Sequence, residues 1–230
     1  MRQAAKWTWA AVGVHVFTAL GAVCALFATL ALAQGALEQM FAWLGVALVI
    51  DGLDGPLARR VHVAQRLPRF SGERIDHVID YLTYVFVPAL ALWLEGVLAG
   101  PIGLALVAGI LVSSLFHFAD LESKAADNSF VGFPALWNLV AFYLFAFDAG
   151  GVAAALVVGA GIALTFVPWR WVHPLRVRAL RPVTLAVVVF GGAIGAWTLA
   201  TGFPAPSLAQ VAFIAVAVYG IGLVLVRGRA

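Results

Sequence analysis

Apolar positions run almost unbroken along the chain in stretches of roughly twenty residues, at 7–33, 37–58, 74–95, 98–120, 132–148, 150–168, 182–201 and 207–226. Runs of that length suit helices crossing a hydrocarbon core about 30 Å thick. A transmembrane β-barrel would instead alternate apolar and polar positions in segments of about ten residues. The pattern therefore predicts an all-α fold: a polytopic integral membrane helix bundle of about eight transmembrane helices, forming a single transmembrane domain over residues 1–230. The first run follows Arg2 and Lys6 and contains Ala31-Leu32-Ala33, which looks like a signal-peptidase site. A signal core is only about 7–15 residues long, so this longer run reads as an uncleaved first helix.

Composition excludes a water-soluble fold. Apolar residues make up 63% of the chain before its 23 glycines are counted, and only 11% of residues are charged; about 25% is usual in soluble domains. The single cysteine, Cys24, rules out an internal disulfide and a cysteine metal site. The net charge of +3 raises nucleic acid as a partner, but the placement of the basic residues argues against it. All fourteen fall on alternate connections: Arg2 and Lys6; Arg59, Arg60, Arg66, Arg69 and Arg74; Lys124; Arg170, Arg176, Arg178 and Arg181; Arg227 and Arg229. The positive-inside rule then puts both termini in the cytoplasm and requires an even number of spans. The sixth connection, from Pro168 to Arg181 with Trp169, Trp171 and His173, reads as a segment lying flat in the anionic interface. Gly191-Gly192-Ala193-Ile194-Gly195 carries a small-xxx-small spacing that suits close helix packing.

Four carboxylates break the apolar pattern: Asp51 and Asp54 late in the second run, Asp76 and Asp80 early in the third. A charged residue near a helix centre costs about 2.5–3.5 kcal/mol on insertion scales, so four together point to function. At about 100° per residue, Asp51, Asp54, Gly55 and Ala58 share one face of the second helix, within about 100° of arc. Gly72, Asp76 and Asp80, each four residues apart, form one stripe on the third. In adjacent antiparallel helices all four acids reach one level near the cytoplasmic surface. Close carboxylates repel one another, and protons or cations must offset the charge. Oxygen-only ligation suits hard divalent ions such as Mg²⁺ or Mn²⁺, and four carboxylates suffice for two of them. Mg²⁺ binds through carboxylates together with substrate phosphates. The residues alone thus describe a two-metal site for a phosphate-containing substrate at the membrane surface. Pro56, inside the acidic segment, is expected to kink or end the second helix.

The same residues, Asp51-x-x-Asp54-Gly55-x-x-Ala58-Arg59, then twelve residues, then Gly72-x-x-x-Asp76-x-x-x-Asp80, resemble the signature of the CDP-alcohol phosphotransferase family. The twelve-residue gap, the eight spans, and the segments Val49-Ile50-Asp51-Gly52 and Gly132-Phe133-Pro134 are similar to the bacterial branch that uses choline. The resemblance implies that Asp51, Asp54, Asp76 and Asp80 hold two divalent ions against the diphosphate of CDP-diacylglycerol, with Asp80 also the general base. It implies that Gly55, Ala58, Arg59 and Gly72 border the nucleotide, and that choline attacks with release of CMP. It further implies an active site facing the cytoplasm of a bacterial inner membrane, in an enzyme of a family whose members are commonly homodimers.

Other polar residues are read more cautiously. Tyr84, four residues after Asp80, is the first choice for a cation–π contact to choline, with Tyr81 and Trp137 behind it. Ser113, His117 and Asp120 share a helix face that Lys124 continues, and Asp120 is a candidate counter-ion to the ammonium; a hydrogen-bonded seam is the plainer reading. Asn128 and Asn138 read as interhelical polar contacts, His77 as an outer neighbour of the acids, and His15, His62 and His173 as structural or interfacial. Two rivals stand: a sister activity using serine, glycerol phosphate or inositol phosphate, and a cation transporter with intramembrane acids. Phosphorylated acceptors would need more basic residues near the fourth helix than Lys124. Transporter sites lie nearer the midplane.

Overall fold

The computed structural model describes residues 2–173, 177 and 180–228, with the backbone alone for 2–8. Arg176, Arg178 and Arg229, assigned above to the inner face, lie outside the described residues. The chain forms two compact units, residues 1–87 and 88–230, and the acidic segment lies wholly in the first.

The first unit is organised around helix α1 (Arg2–Ala33), which packs on α2 (Leu37–Val61), on the short α3 (Val63–Arg66) and on α4 (Gly72–Asp80). Its buried positions include Ala11, Val14, Thr18, Gly21, Ala25, Ala28 and Leu32, in alternating steps of three and four, with Cys24 and Ala31 buried beside them. That spacing gives a straight seam, and its mostly small side chains let neighbouring backbones approach closely. Closest of all is Gly21, where an added Cβ would sit 2.5 Å from Cγ2 of Ile79 on α4. On α2 the buried residues Met40, Leu44, Ala47 and Ile50 lead along the helix to buried Asp54. The packing face of α2 is therefore also the face that carries the acids.

Of the two outcomes expected at Pro56, an end to the helix is not seen, since α2 continues to Val61. The carbonyl that Pro56 leaves without a donor belongs to Gly52, four residues back, whose lack of a side chain gives the turn room to adjust. The helix stops at His62, in the left-handed conformation (φ 55°), whose N–H reaches the carbonyls of Ala58 and Arg59. Ser71 caps α4 by accepting from the Arg74 N–H at 3.3 Å. Directly after Asp80 the chain widens into a π-helical segment, Tyr81–Phe86, closed by an i→i−5 bond from the Val87 N–H to the Leu82 carbonyl. The cause is next in sequence: Pro88 has no N–H to give the Tyr84 carbonyl, and its ring would press on that oxygen in an α-helix.

The second unit contains α5 (Val87–Leu94), α6 (Gly100–Ala119), α7 (Trp137–Ala146), α8 (Gly151–Thr165), α9 (Arg181–Thr201) and α10 (Ser207–Arg227). Two short strands, β1 (Phe130–Val131) and β2 (Arg170–Trp171), pair antiparallel. The sixth connection thus carries β2 near its start, where its backbone finds partners in 130–131. A Cβ added to Gly191 would meet Val216 of α10 at 3.6 Å, an ordinary contact distance, so this glycine faces α10.

Among the described residues, six helices are long and apolar enough to cross a membrane: Trp9–Ala33, Leu37–Val61, Gly72–Leu94, Gly100–Ala119, Arg181–Thr201 and Ser207–Arg227. The protein is an all-α polytopic membrane protein. The runs at 132–148 and 150–168 form apolar helices of only 10 and 15 residues. The first is cut short because Gly132 and Phe133 donate their N–H groups to Trp169 and Leu164 carbonyls, at 3.0 Å each, in place of starting a helix. Gly132 has φ 78°, and a Cβ there would strike the Thr165 carbonyl.

Candidate active site

Three of the four predicted acids converge. Asp51 from α2 and Asp76 and Asp80 from α4 each offer one carboxylate oxygen, all within 4.8 Å of one another, and all three residues are half-buried. The helix stripe explains the pair on α4, and the packing of α1 against both helices brings Asp51 to them. Asp54, one turn beyond Asp51 and 8% exposed, lies outside that trio. Carboxylates at this spacing repel one another by about 3–4 kcal/mol per pair at an effective dielectric near 20. An octahedral Mg²⁺ with oxygens at 2.0–2.1 Å holds its ligands roughly 3–4 Å apart. The trio, made only of oxygen donors, is thus sized and charged for a hard divalent cation.

The signature glycines have distinct surroundings. At Gly55 an added Cβ would lie 3.3 Å from Nη1 of Arg59, because the guanidinium folds back over that glycine. Ala58, Arg59, His62, Val63, Ala64 and Gln65 line a groove of about 410 Å³ at the end of α2. At Gly72 the space is taken by His15 of α1, whose Cε1 would be 3.3 Å from a Cβ. His15 also meets Phe70 edge-on at 6.5 Å. No sequence spacing links His15 to the motif, so only the fold shows it beside Gly72.

The acceptor candidates separate. Tyr84, 8% exposed, donates its hydroxyl to Oδ2 of Asp51 at 2.7 Å, so its polar end is committed to an acid of the site. Tyr81 is half-buried on the same π-helical segment. Trp137, in the second unit, is fully buried and donates Nε1–H to Ser114 at 2.8 Å; its ring packs against Gly161 and has no face left for a ligand. Asp120 is exposed and accepts from the Glu122 N–H at 2.8 Å, closing a local turn. Ser113 and His117 are buried, but α6 ends at Ala119, and Lys124 forms a bridge with Phe130 instead of continuing their stripe. Asn128 occupies a left-handed turn (φ 65°), and Asn138 accepts from the adjacent Leu139 N–H at 2.8 Å. His173 stacks on Phe130 at 5.2 Å.

In the second unit, Arg227 bridges to Asp127 at 2.7 Å and reaches Ser129 Oγ at 3.3 Å. The Ser129 N–H, a partner of the Asp127 carboxylate at 3.0 Å, holds that carboxyl below its ordinary value, with Arg227 and Arg170 adding to the effect.

An oxygen-ligand cluster on two antiparallel membrane helices, set in this signature, defines a class, and the comparisons agree. Residues 14–169 match the CDP-alcohol phosphatidyltransferase family, and the chain belongs to it. Similar relatives are the proteins named phosphatidylcholine synthase from Agrobacterium fabrum (42% identical, covering 91% of this chain and 87% of the relative), Bradyrhizobium diazoefficiens (44%, 91% and 79%) and Pseudomonas aeruginosa (46%, 76% and 74%). No solved structure gives a significant match.

Proposed function

We propose that this protein is a phosphatidyltransferase that joins the phosphatidyl group of CDP-diacylglycerol to choline and releases CMP, at the cytoplasmic face of a bacterial inner membrane. The observation that carries the reading is the convergence of Asp51, Asp76 and Asp80 in a chain whose relatives are named for phosphatidylcholine synthesis. Asp51, Asp54, Asp76 and Asp80 would hold two Mg²⁺ or Mn²⁺ ions. When bound, the ions supply positive charge to the diphosphate and to the departing CMP.

The remaining work belongs to the chain. Arg59, folded over Gly55, presents its guanidinium on the nucleotide side, where it suits phosphate oxygens. Gly55 and Ala58 keep that side of α2 low for the nucleotide, and Gly72 borders it from α4 with His15 packed beside it. Asp80 accepts the proton of the choline hydroxyl as the new oxygen–phosphorus bond forms. The bond from that phosphorus to CMP breaks, and CMP leaves with the electron pair. Tyr81, on the turn after Asp80, offers a ring face to the trimethylammonium group, which cannot donate a hydrogen bond. A homodimer is the assembly in keeping with the family resemblance.

The test is CMP release by purified protein given CDP-diacylglycerol and one alcohol at a time. Choline should support turnover, while serine, glycerol 3-phosphate and inositol phosphate should be poor acceptors. Release with serine or a phosphorylated acceptor but not with choline would make it a sister transferase. No release with any alcohol, alongside cation flux in vesicles, would support the transporter reading instead.

A further inference from the structure

We infer that Tyr84 is the positioning residue of the metal cluster, fixing the Asp51 carboxylate through its hydroxyl. This inference rests on the two-metal reading above. Asp51 is the one acid of the converged trio contributed by α2; Asp76 and Asp80 share α4. An aspartate has two side-chain torsions that can swing its carboxylate away from acids on another helix. The Tyr84 hydroxyl, 2.7 Å from Oδ2, removes that freedom from the α4 side. The donor is rigid at its other end, since the residue is buried and set in the π-helical segment. The geometry also divides the labour within the carboxylate: Oδ2 spends a lone pair on the phenol, which leaves Oδ1 and the other lone pairs for a cation. Such outer hydrogen bonds commonly govern affinity at metal sites, and losing one costs about 10–100-fold.

The π-helical segment is part of the device. In a regular α-helix, Tyr84 would follow Asp80 by about 40° around the axis and stack above it. In the wider turn each residue advances less, and the ring swings back across the acid pair toward α2. Pro88, which forces the wide turn, thereby sets the donor on Asp51.

The experiment measures Mn²⁺ binding to purified protein by electron paramagnetic resonance, apart from turnover. Tyr84→Phe keeps the ring and removes only the donor; its thermal midpoint should match wild type. Its Mn²⁺ dissociation constant should rise about 10–100-fold, while the Michaelis constant for choline, taken at saturating Mn²⁺, stays within about twofold. In an Asp51→Asn background, adding Tyr84→Phe should change Mn²⁺ affinity no further, since the bond's charged partner is already gone. Mn²⁺ binding equal to wild type in Tyr84→Phe overturns the inference and leaves the two-metal reading intact. A raised choline constant with unchanged Mn²⁺ binding would return Tyr84 to the acceptor pocket. Absence of Mn²⁺ binding in wild type would overturn both.

Discussion

On the proposed mechanism Asp80 does two things with one carboxylate, and they can be taken apart. As a proposed metal ligand it would share its role with Asp51 and Asp76; as the proposed base it would have no substitute. Asp80→Asn should therefore cut CMP release by about 10²–10⁴-fold, while binding of CDP-diacylglycerol, measured by equilibrium titration, survives. Near-normal turnover would remove Asp80 from its post. Asp51→Asn and Asp76→Asn should instead raise the Mn²⁺ concentration needed for half-maximal activity, and a chelator should abolish turnover until Mg²⁺ or Mn²⁺ is restored. At this scale the acids were readable from the sequence, because charge inside apolar runs is conspicuous and i, i+4 spacing fixes a stripe. The bond from Tyr84 to Asp51 was not. It depends on a wide turn that Tyr81–Phe86 does not announce, and on two helices whose contact no local spacing encodes. His15 escaped for the same reason.

Helix packing makes its own predictions. Gly21 is where α1 admits Ile79, one residue before Asp80. Gly21→Val should force the helices apart, costing about 1–3 kcal/mol and lowering the melting midpoint in detergent along with CMP release. Ile79→Ala in the same chain should restore part of both. A Gly21→Val protein with unchanged melting would show that the seam is looser than the structure has it. In the second unit, the Asp127–Arg227 pair ties residues 127–129 to the end of α10. The folded-state value of Asp127 lies below its ordinary 3.8, so its stabilisation is complete above about pH 4 and fades as pH falls through the lower folded value. Amide exchange of 125–131 should quicken over that acidic window once corrected for intrinsic rates, and Arg227→Gln should make it quick already at neutral pH. The long helices matched the apolar runs to within a few residues, since hydropathy dictates them. The runs at 132–148 and 150–168 were overread: an apolar composition cannot show that Gly132 and Phe133 spend their N–H groups elsewhere.

For the whole molecule, the alternate placement of basic residues predicts both termini in the cytoplasm. In a Cys24→Ala background, a cysteine placed near Gly100 should react with an impermeant external thiol reagent, and one near Gln65 should not. The opposite labelling would turn the acidic site to the outer face. The division of the chain into units bears on how the enzyme is made. Every signature residue lies within the first 87 residues. Ribosomes add about 5–20 residues per second, so the roughly 140 residues that follow take on the order of 7–30 s to emerge. During that interval the acids are already in the membrane, and a nascent chain could acquire its cations long before translation ends. On the proposed two-metal reading biogenesis would have a natural order, in which magnesium available at the translocon, ahead of any lipid substrate, would offset the crowded negative charge of a half-made enzyme.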